Sequence, residues 1–582
     1  MKPYKLILSV IAASMMTLSC EEQMNYKEVS QYDKEYVSQA FENVMGLMTA
    51  VYRNLDYDFG KDNNYGGIML SSATDESQYS VPESSIETFW NGAWSSTTPI
   101  SSMWSTSFQA ITYCNEILDE FQGLTFDDLQ FNDGYDKQMF SYRNLQWEAR
   151  WARAYFYFNL VRQYGDVPLK DRKMTADEAN SLSRIPADKI FEFINSECDA
   201  IKDKIVEDYS NLGNYAPADG SIDNGRPDKL AVLALKARAA LYHASPLFSK
   251  DKSKEKDLWK EAAKANWELL DYAVNKRGKH LAATYDCLWA KDNYEGSEAT
   301  AEILFTRRIG DSNVLESANF PFGVVGGNGG NCPTQNLVDA YDMKATGKSI
   351  DEGGSGYDET NPYEGRDPRF YLTIAKNGDK KWPNYNTSPL DVTQGGVNGE
   401  PLVGATPTGY YLKKLLHASI DLRPGQSKKA KDKHTWVTFR LAEFYLNYAE
   451  ALFNYGDENP YYVSGEFPIS PVEAVNKIRE RVGMPGLPLE GLSGAQFKEK
   501  YEKERFVELA FEGHRFWDVR RWKEAPKYFK NIIQMKLVKN ADGTIRYTRK
   551  TVTRNWEDKM YLFPIPLTDI LKNPNLTQNP GW

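Results

Sequence analysis

Phe439-Arg-Leu-Ala-Glu-Phe-Tyr-Leu-Asn-Tyr-Ala-Glu-Ala-Leu-Phe-Asn-Tyr455 is the stretch whose reading decides the fold. Leu441, Tyr445, Tyr448, Ala449 and Leu452 recur at steps of three and four, which places them on one face of a helix. Gly456 breaks that helix. Downstream, Pro471-Val-Glu-Ala-Val-Asn-Lys-Ile-Arg-Glu-Arg-Val482 opens on a proline, tolerated at the first helical position because its missing N–H has no intrahelical partner there. Val472, Val475, Ile478 and Val482 form the second apolar face, and Pro485 lies past its end. Ala449, Ala451 and Ala474 are small enough to let the two helices approach closely.

Two helices with glycine and proline punctuation look like a tetratricopeptide unit. The same 3.6-residue pattern predicts helices over 144–163, 187–205, 230–244 and 258–273. No strict period runs through the chain, so the expectation is an all-α scaffold of helical hairpins with little β structure rather than a regular array. The helical scaffold lies mainly at 30–275 and 435–530, and a glycine-, proline- and asparagine-rich region covers 310–415. Residues 20–582 read as one domain. A second irregular stretch runs from Asp56 to Ser102. Loops on a rigid scaffold are where binding residues gather.

The amino terminus has its own logic. Lys2 and Lys5 precede an apolar run from Leu6 to Leu18, then Leu18-Ser19-Cys20. This reads as an export signal over 1–19, with Cys20 as the lipid-bearing residue of a lipoprotein. Thr17 stands where the processing motif usually has leucine. The run is too short to span a bilayer well, so the mature chain is anchored rather than spanning. Cys114, Cys198, Cys287 and Cys332 form no close pair of the kind that holds zinc. Their spacing assigns no disulfide, and Cys114 and Cys198 fall in helical patterns as buried thiols.

The chain has 582 residues and a formal net charge of -10. That balance argues against nucleic acid as the partner, since phosphate binding needs a basic surface. No phosphate loop, nucleophile elbow, dinucleotide fingerprint or HExxH motif occurs. His243, His280, His417, His434 and His514 are isolated in sequence. No cofactor or metal is expected, and the 80 acidic residues single out no catalytic pair at glycosidase spacing.

Several segments, in order along the whole chain, resemble the SusD/RagB family. They are Arg150-Trp-Ala-Arg-Ala-Tyr-Phe-Tyr-Phe-Asn-Leu-Val-Arg162 with Tyr164-Gly-Asp-Val-Pro-Leu169, then Arg366-Asp-Pro-Arg-Phe370, Thr408-Gly-Tyr410, Arg440-Leu-Ala-Glu443 and Tyr448-Ala-Glu-Ala451. Glu504-Arg-Phe-Val-Glu-Leu-Ala-Phe-Glu-Gly-His-Arg-Phe-Trp-Asp-Val-Arg-Arg-Trp522 is the most telling, and the tail from Tyr561-Leu-Phe-Pro-Ile-Pro566 to Trp582 completes the set. The resemblance implies a helical, lipid-anchored protein on the outer-membrane surface. It implies capture of oligo- or polysaccharide for a SusC-type TonB-dependent transporter, without catalysis. Some relatives handle peptides, which is one alternative reading; an unrecognised glycoside hydrolase is the other.

Within the signature, Phe506, Leu509, Gly513 and Trp517 have helical spacing toward a core. Glu512 with Arg515 and Asp518 with Arg521 sit three apart as candidate ion pairs. The segment reads as scaffold and not as chemistry. Sugar binding needs rigid aromatic faces with polar groups at the edge. Trp90 and Trp94, with Asn91 between them and Tyr79 before, are the first candidates. The resemblance places a binding face near this loop and near the later one that holds Phe320, Phe322 and Asn328, and it adds Asp75. Trp90 and Trp94 equally suit covering the helix that begins near Ser102, and Phe320 and Phe322 equally suit pinning a loop. Trp382 and Tyr385 form a second, weaker platform. Trp104 and Trp289 read as packing residues.

Overall fold

The structure is a computed structural model that describes residues 34–59, 67–216, 225–289, 298–425 and 429–582. The signal segment 1–19 and Cys20 lie outside the described residues. Helices α1 (Phe41–Arg53), α2 (Trp104–Glu120), α3 (Tyr135–Tyr164), α4 (Ala187–Ile201), α5 (Lys229–Ala244) and α6 (Glu255–Asp271) pack each on the next in chain order. The series continues through α10 (Leu441–Tyr455), which lies against α6, to α11 (Pro471–Arg481). Short helices between them include α7 (Val314–Asn319), α8 (Gln335–Ala340) and α9 (Pro368–Thr373); the helices after them include α12 (Gly494–Glu508) and α13 (Arg515–Arg521).

Local chemistry sets these boundaries. Ser470 accepts from Glu473 N while Glu473 reaches back, a capping box immediately before Pro471. Ser493 and Gln496 do the same for α12. Gly165, at φ +70°, ends α3, and a Cβ there would press on Leu562. Helix α5 is buried on nearly all sides because alanines 231, 234, 237, 239, 240 and 244 let neighbours approach on every face. Trp151, wholly buried on α3, donates Nε1 to Ala231 O at 3.0 Å and ties α3 to α5.

Strands occur among the described residues only as two-stranded antiparallel pairs. They are β1 (Ser77–Tyr79) with β3 (Asn331–Pro333), β2 (Ile303–Ser312) with β6 (Asp432–Arg440), β4 (Ile374–Ala375) with β5 (Tyr411–Leu412), and β7 (Asn531–Lys539) with β8 (Ile545–Thr553). The helical reading of Phe439 and Arg440 is corrected here. Both residues pair with β2, and the helix begins at Leu441. The loop-rich region holds its shape through close backbone approach. Gly329, at φ +87°, lies against the Gly404 carbonyl, where any Cβ would collide.

The Glu504–Trp522 signature is the junction of this architecture, and it is not one helix. After α12 ends, Phe511 (φ +61°) and Gly513 (φ +76°) reverse the chain before α13. That break separates Glu512 from Arg515, so their expected pairing does not form. Glu512 instead binds Arg440 (2.6 Å) and Lys414 (2.6 Å). Asp518 and Arg521, both on α13, do pair, at 2.9 Å. Glu508 receives Arg369 (2.9 Å), Arg440 (2.7 Å) and Arg481 (2.5 Å). Arg369 also holds Glu504 and Asp367, and Arg440 also holds Glu302. Burial alone would raise the Glu508 carboxyl, yet the three guanidinium groups hold it well below the usual carboxylate range.

Removing one partner of such a network strands the others without water. Glu508→Ala is therefore expected to lower the unfolding free energy by about 3–5 kcal/mol, measured by urea denaturation followed by tryptophan fluorescence. A loss under about 1 kcal/mol, the value of a surface pair, would show that the network is not cooperative.

Candidate functional site

The irregular stretch before α2 is tied to the loop-rich region by strand pairing. Its strand β1 pairs with β3 so that Tyr79 lies opposite Asn331. Ser80 N donates to Gly330 O at 2.9 Å, and Ser80 Oγ reaches Asn328 O at 3.3 Å. These bonds bring the two expected loops, 79–91 and 320–330, side by side. Tyr79 is half-buried, while Asn328 is exposed and donates Nδ2 to Ser317 O at 2.9 Å. Phe322 is half-buried beneath Gly404, and its carbonyl accepts from Asn398 Nδ2 at 2.7 Å.

Trp90 closes a 3-10 turn over Ser85–Phe89 and is partly open to solvent. The Arg554 guanidinium lies 3.9 Å from its ring centre and donates to Thr74 O at 2.7 Å. A cation against an indole holds the ring in place. Asn91 is exposed, with Oδ1 accepting from Ala93 N at 2.9 Å in a tight turn.

Three candidates do not stand on this surface. Trp94 is 4% exposed and meets Phe89 (4.7 Å), Phe563 (4.9 Å) and Trp582 (4.9 Å) edge to face. It fastens the C-terminal tail and presents no open ring. Phe320 is fully buried against Trp382 and Tyr385. Asp75 is 2% exposed, with both oxygens held by Arg515 at 2.9 and 2.7 Å. Arg515 is itself sandwiched between Phe506 (4.0 Å) and Tyr528 (4.2 Å). In each case burial satisfied an apolar surface or a charge that the loop composition alone left unassigned. Of the second platform, Trp382 is 9% exposed, and Tyr385 is half-buried with its hydroxyl on Val325 O at 2.6 Å.

Residues 288–582 match the model of the SusD family, and residues 25–241 match a second model described as starch-binding, associating with outer membrane. The chain belongs to the SusD family. Two SusD-like proteins of Formosa agariphila, P25 and P2, are 23% and 24% identical over 495 and 459 residues. Those matches cover 82% and 75% of this chain and 78% and 73% of the relatives. A SusD-like protein from Bacteroides fragilis shares the fold at TM-score 0.73 and 24% identity, over 94% of this chain and 98% of its own. A SusD-like carbohydrate-binding protein from the same organism gives 0.70 at 22%, over 93% and 100%. A laminarin-binding SusD-like protein gives 0.60 at 19%, over 93% and 99%.

In this SusD-family chain the histidines are not all isolated. His417 and His434 stack at 4.4 Å, with Asp432 on the first (2.9 Å) and Glu316 on the second (2.8 Å). Sequence distance hid this pairing because β6 brings His434 back to the loop that carries His417. Among the described residues no group of three or more His, Cys, Asp or Glu is placed to hold a metal. None of the described helices is long and apolar enough to cross a membrane. Residues that the sequence reading passed over include Arg554 and the whole β7–β8 hairpin. Its signal was present, since Asp542-Gly543 stands between two β-rich runs.

Glu76, beside Asp75, is 1% exposed and accepts from Phe511 N at 2.7 Å. Burial pushes its carboxyl up to about 8 from the ordinary 4.5. A carboxyl raised in the folded state costs stability as pH climbs from its unfolded value to its folded one. Glu76→Gln keeps an acceptor oxygen and removes the charge. Its melting temperature relative to the native chain should therefore climb between pH 5 and 8, about the window set by those two values. Thermal melts across that range test this, and an offset independent of pH would contradict it.

Proposed function

We propose that this protein captures oligo- or polysaccharide at the cell surface and hands it to a SusC-type TonB-dependent transporter, leaving bond cleavage to other proteins. The observation that carries the reading is Trp90, held against Arg554 at the edge where loops 79–91 and 320–330 meet. A sugar ring offers flat C–H faces and peripheral hydroxyls. A rigid indole with amides nearby complements both at small entropic cost. Tyr79, Asn91, Phe322 and Asn328 supply the rest of that surface. The helices behind them are buried and ion-paired, which keeps the face preorganised. Membership of the SusD family and the carbohydrate- and laminarin-binding descriptions of structural relatives support the same reading.

The apolar run ahead of Cys20 supports a lipid anchor in the outer membrane, with the binding face outward. Hand-over to a channel rests on family likeness.

Trp90→Ala should weaken retention in polysaccharide-containing native gels by about tenfold or more, as expected for truncating a central aromatic anchor. Retention equal to that of the native protein would remove Trp90 from the site. No reducing ends should be released during the same incubations. For the anchor, Cys20→Ala expressed without a transporter should leave the membrane fraction, and continued sedimentation with membranes would count against lipidation.

A further inference from the structure

The chain carries a net charge of -10, yet between Lys530 and Arg554 it holds seven lysines and arginines and one acidic residue, Asp542. This segment is the β7–β8 hairpin, and among the described residues β8 has no strand on its outer side. Arg549 is paired with Asp339, and Lys536 with Glu400 at 2.6 Å. Lys530, Lys539, Arg546 and Lys550 are exposed and have no ion-pair partner among the described residues.

The register decides where these charges lie. Gln534 pairs with Lys550, Lys536 with Thr548, and Val538 with Arg546. Cross-strand partners share a face, so Lys550, Lys536 and Arg546 line one side of the ribbon. Arg546 and Lys550 are four residues apart, about 13 Å at 3.3 Å per residue. The same side carries Gln534, whose amide meets Gln78 at 2.8 Å, next to Tyr79. At its base, Arg554 N donates to Lys530 O at 2.8 Å while its side chain backs Trp90. Nearer the tip, Lys536 reaches Pro407 O at 2.8 Å, and Gln394 N donates to Leu537 O at 2.8 Å. The hairpin is therefore a wall of the glycan face.

Charged residues do protect an exposed strand edge from pairing with other chains. That role is served by either sign, and does not call for one sign in an acidic protein. We infer that the hairpin selects the ligand: a polysaccharide bearing carboxylate or sulfate groups, stacked at Trp90 and ion-paired along Arg546 and Lys550. This rests on the glycan-capture reading above. The wide spacing of the cations suits anions carried once per few sugar rings. Double-stranded DNA, with one charge per about 1.7 Å, is too dense a match and is repelled by the acidic remainder.

The test is native affinity electrophoresis of the intact lipid-free protein against carrageenan and chondroitin sulfate (sulfates), alginate and polygalacturonate (carboxylates), and starch and laminarin (neutral). At least one anionic polymer should retain the protein more strongly than the neutral ones, less so at high salt. The sulfate and carboxylate arms separate the two anions. The double variant Arg546→Gln/Lys550→Gln, with an unchanged thermal melt, should lose about two- to thirtyfold in that retention. Retention only by neutral polymers, an unchanged double variant, or equal retention by DNA fragments each overturns the anionic class. If Trp90→Ala still abolishes neutral-polymer retention, glycan capture stands alone. Retention by no polymer overturns both.

Discussion

The structure depends on charges that have been taken out of water. Glu508, Glu504 and Glu512 descend from one helix and the turn after it, and meet guanidinium groups from distant parts of the chain: Arg369, Arg440, Arg479 and Arg481. A buried carboxylate is costly unless it is matched at close range. These residues can therefore be accommodated only when the loop-rich region, β6, α11 and the signature segment are in one arrangement. An alternative packing would leave several of these ions buried and unpaired.

The same requirement shapes the outer edge. Arg515 comes from α13, Asp75 from the stretch before β1, and their pair sits between two aromatic rings. This joins the C-terminal signature to the N-terminal loop that carries Tyr79 and Trp90. Trp94 performs the apolar counterpart by anchoring Phe563 and Trp582. The face proposed to bind sugar is thus held from behind by an ion pair and an aromatic cluster. That rigidity lowers the entropy lost on capture.

The division between packed and open aromatics explains which expectations held. Helical periodicity depends on neighbours within one turn, so the principal helices appear where the 3.6-residue pattern put them, with most ends shifted by a few residues, although α3 begins at Tyr135, nine residues before the expected Asn144. Trp104 and Trp289 are buried as read. The loop residues are different. Trp90 and Trp94 are four positions apart in like company, yet one is partly open beside Arg554 and the other is enclosed by residues nearly 500 positions away. Phe320 and Phe322 diverge in the same way. The β7–β8 hairpin had a local turn signal in Asp542-Gly543, but its contact with Gln78 has none.

By itself, then, the sequence determined the helical hairpins, their caps and stops, the family signature and the chain's overall acidity, because each is set by adjacent residues or by simple sums over them. Tertiary structure alone decided which carboxylates meet which guanidiniums, which indole stays open, and that a basic ribbon lies along the proposed glycan face. Those outcomes turn on burial and on pairings between distant segments. They exist only once the chain has closed on itself and water has been displaced.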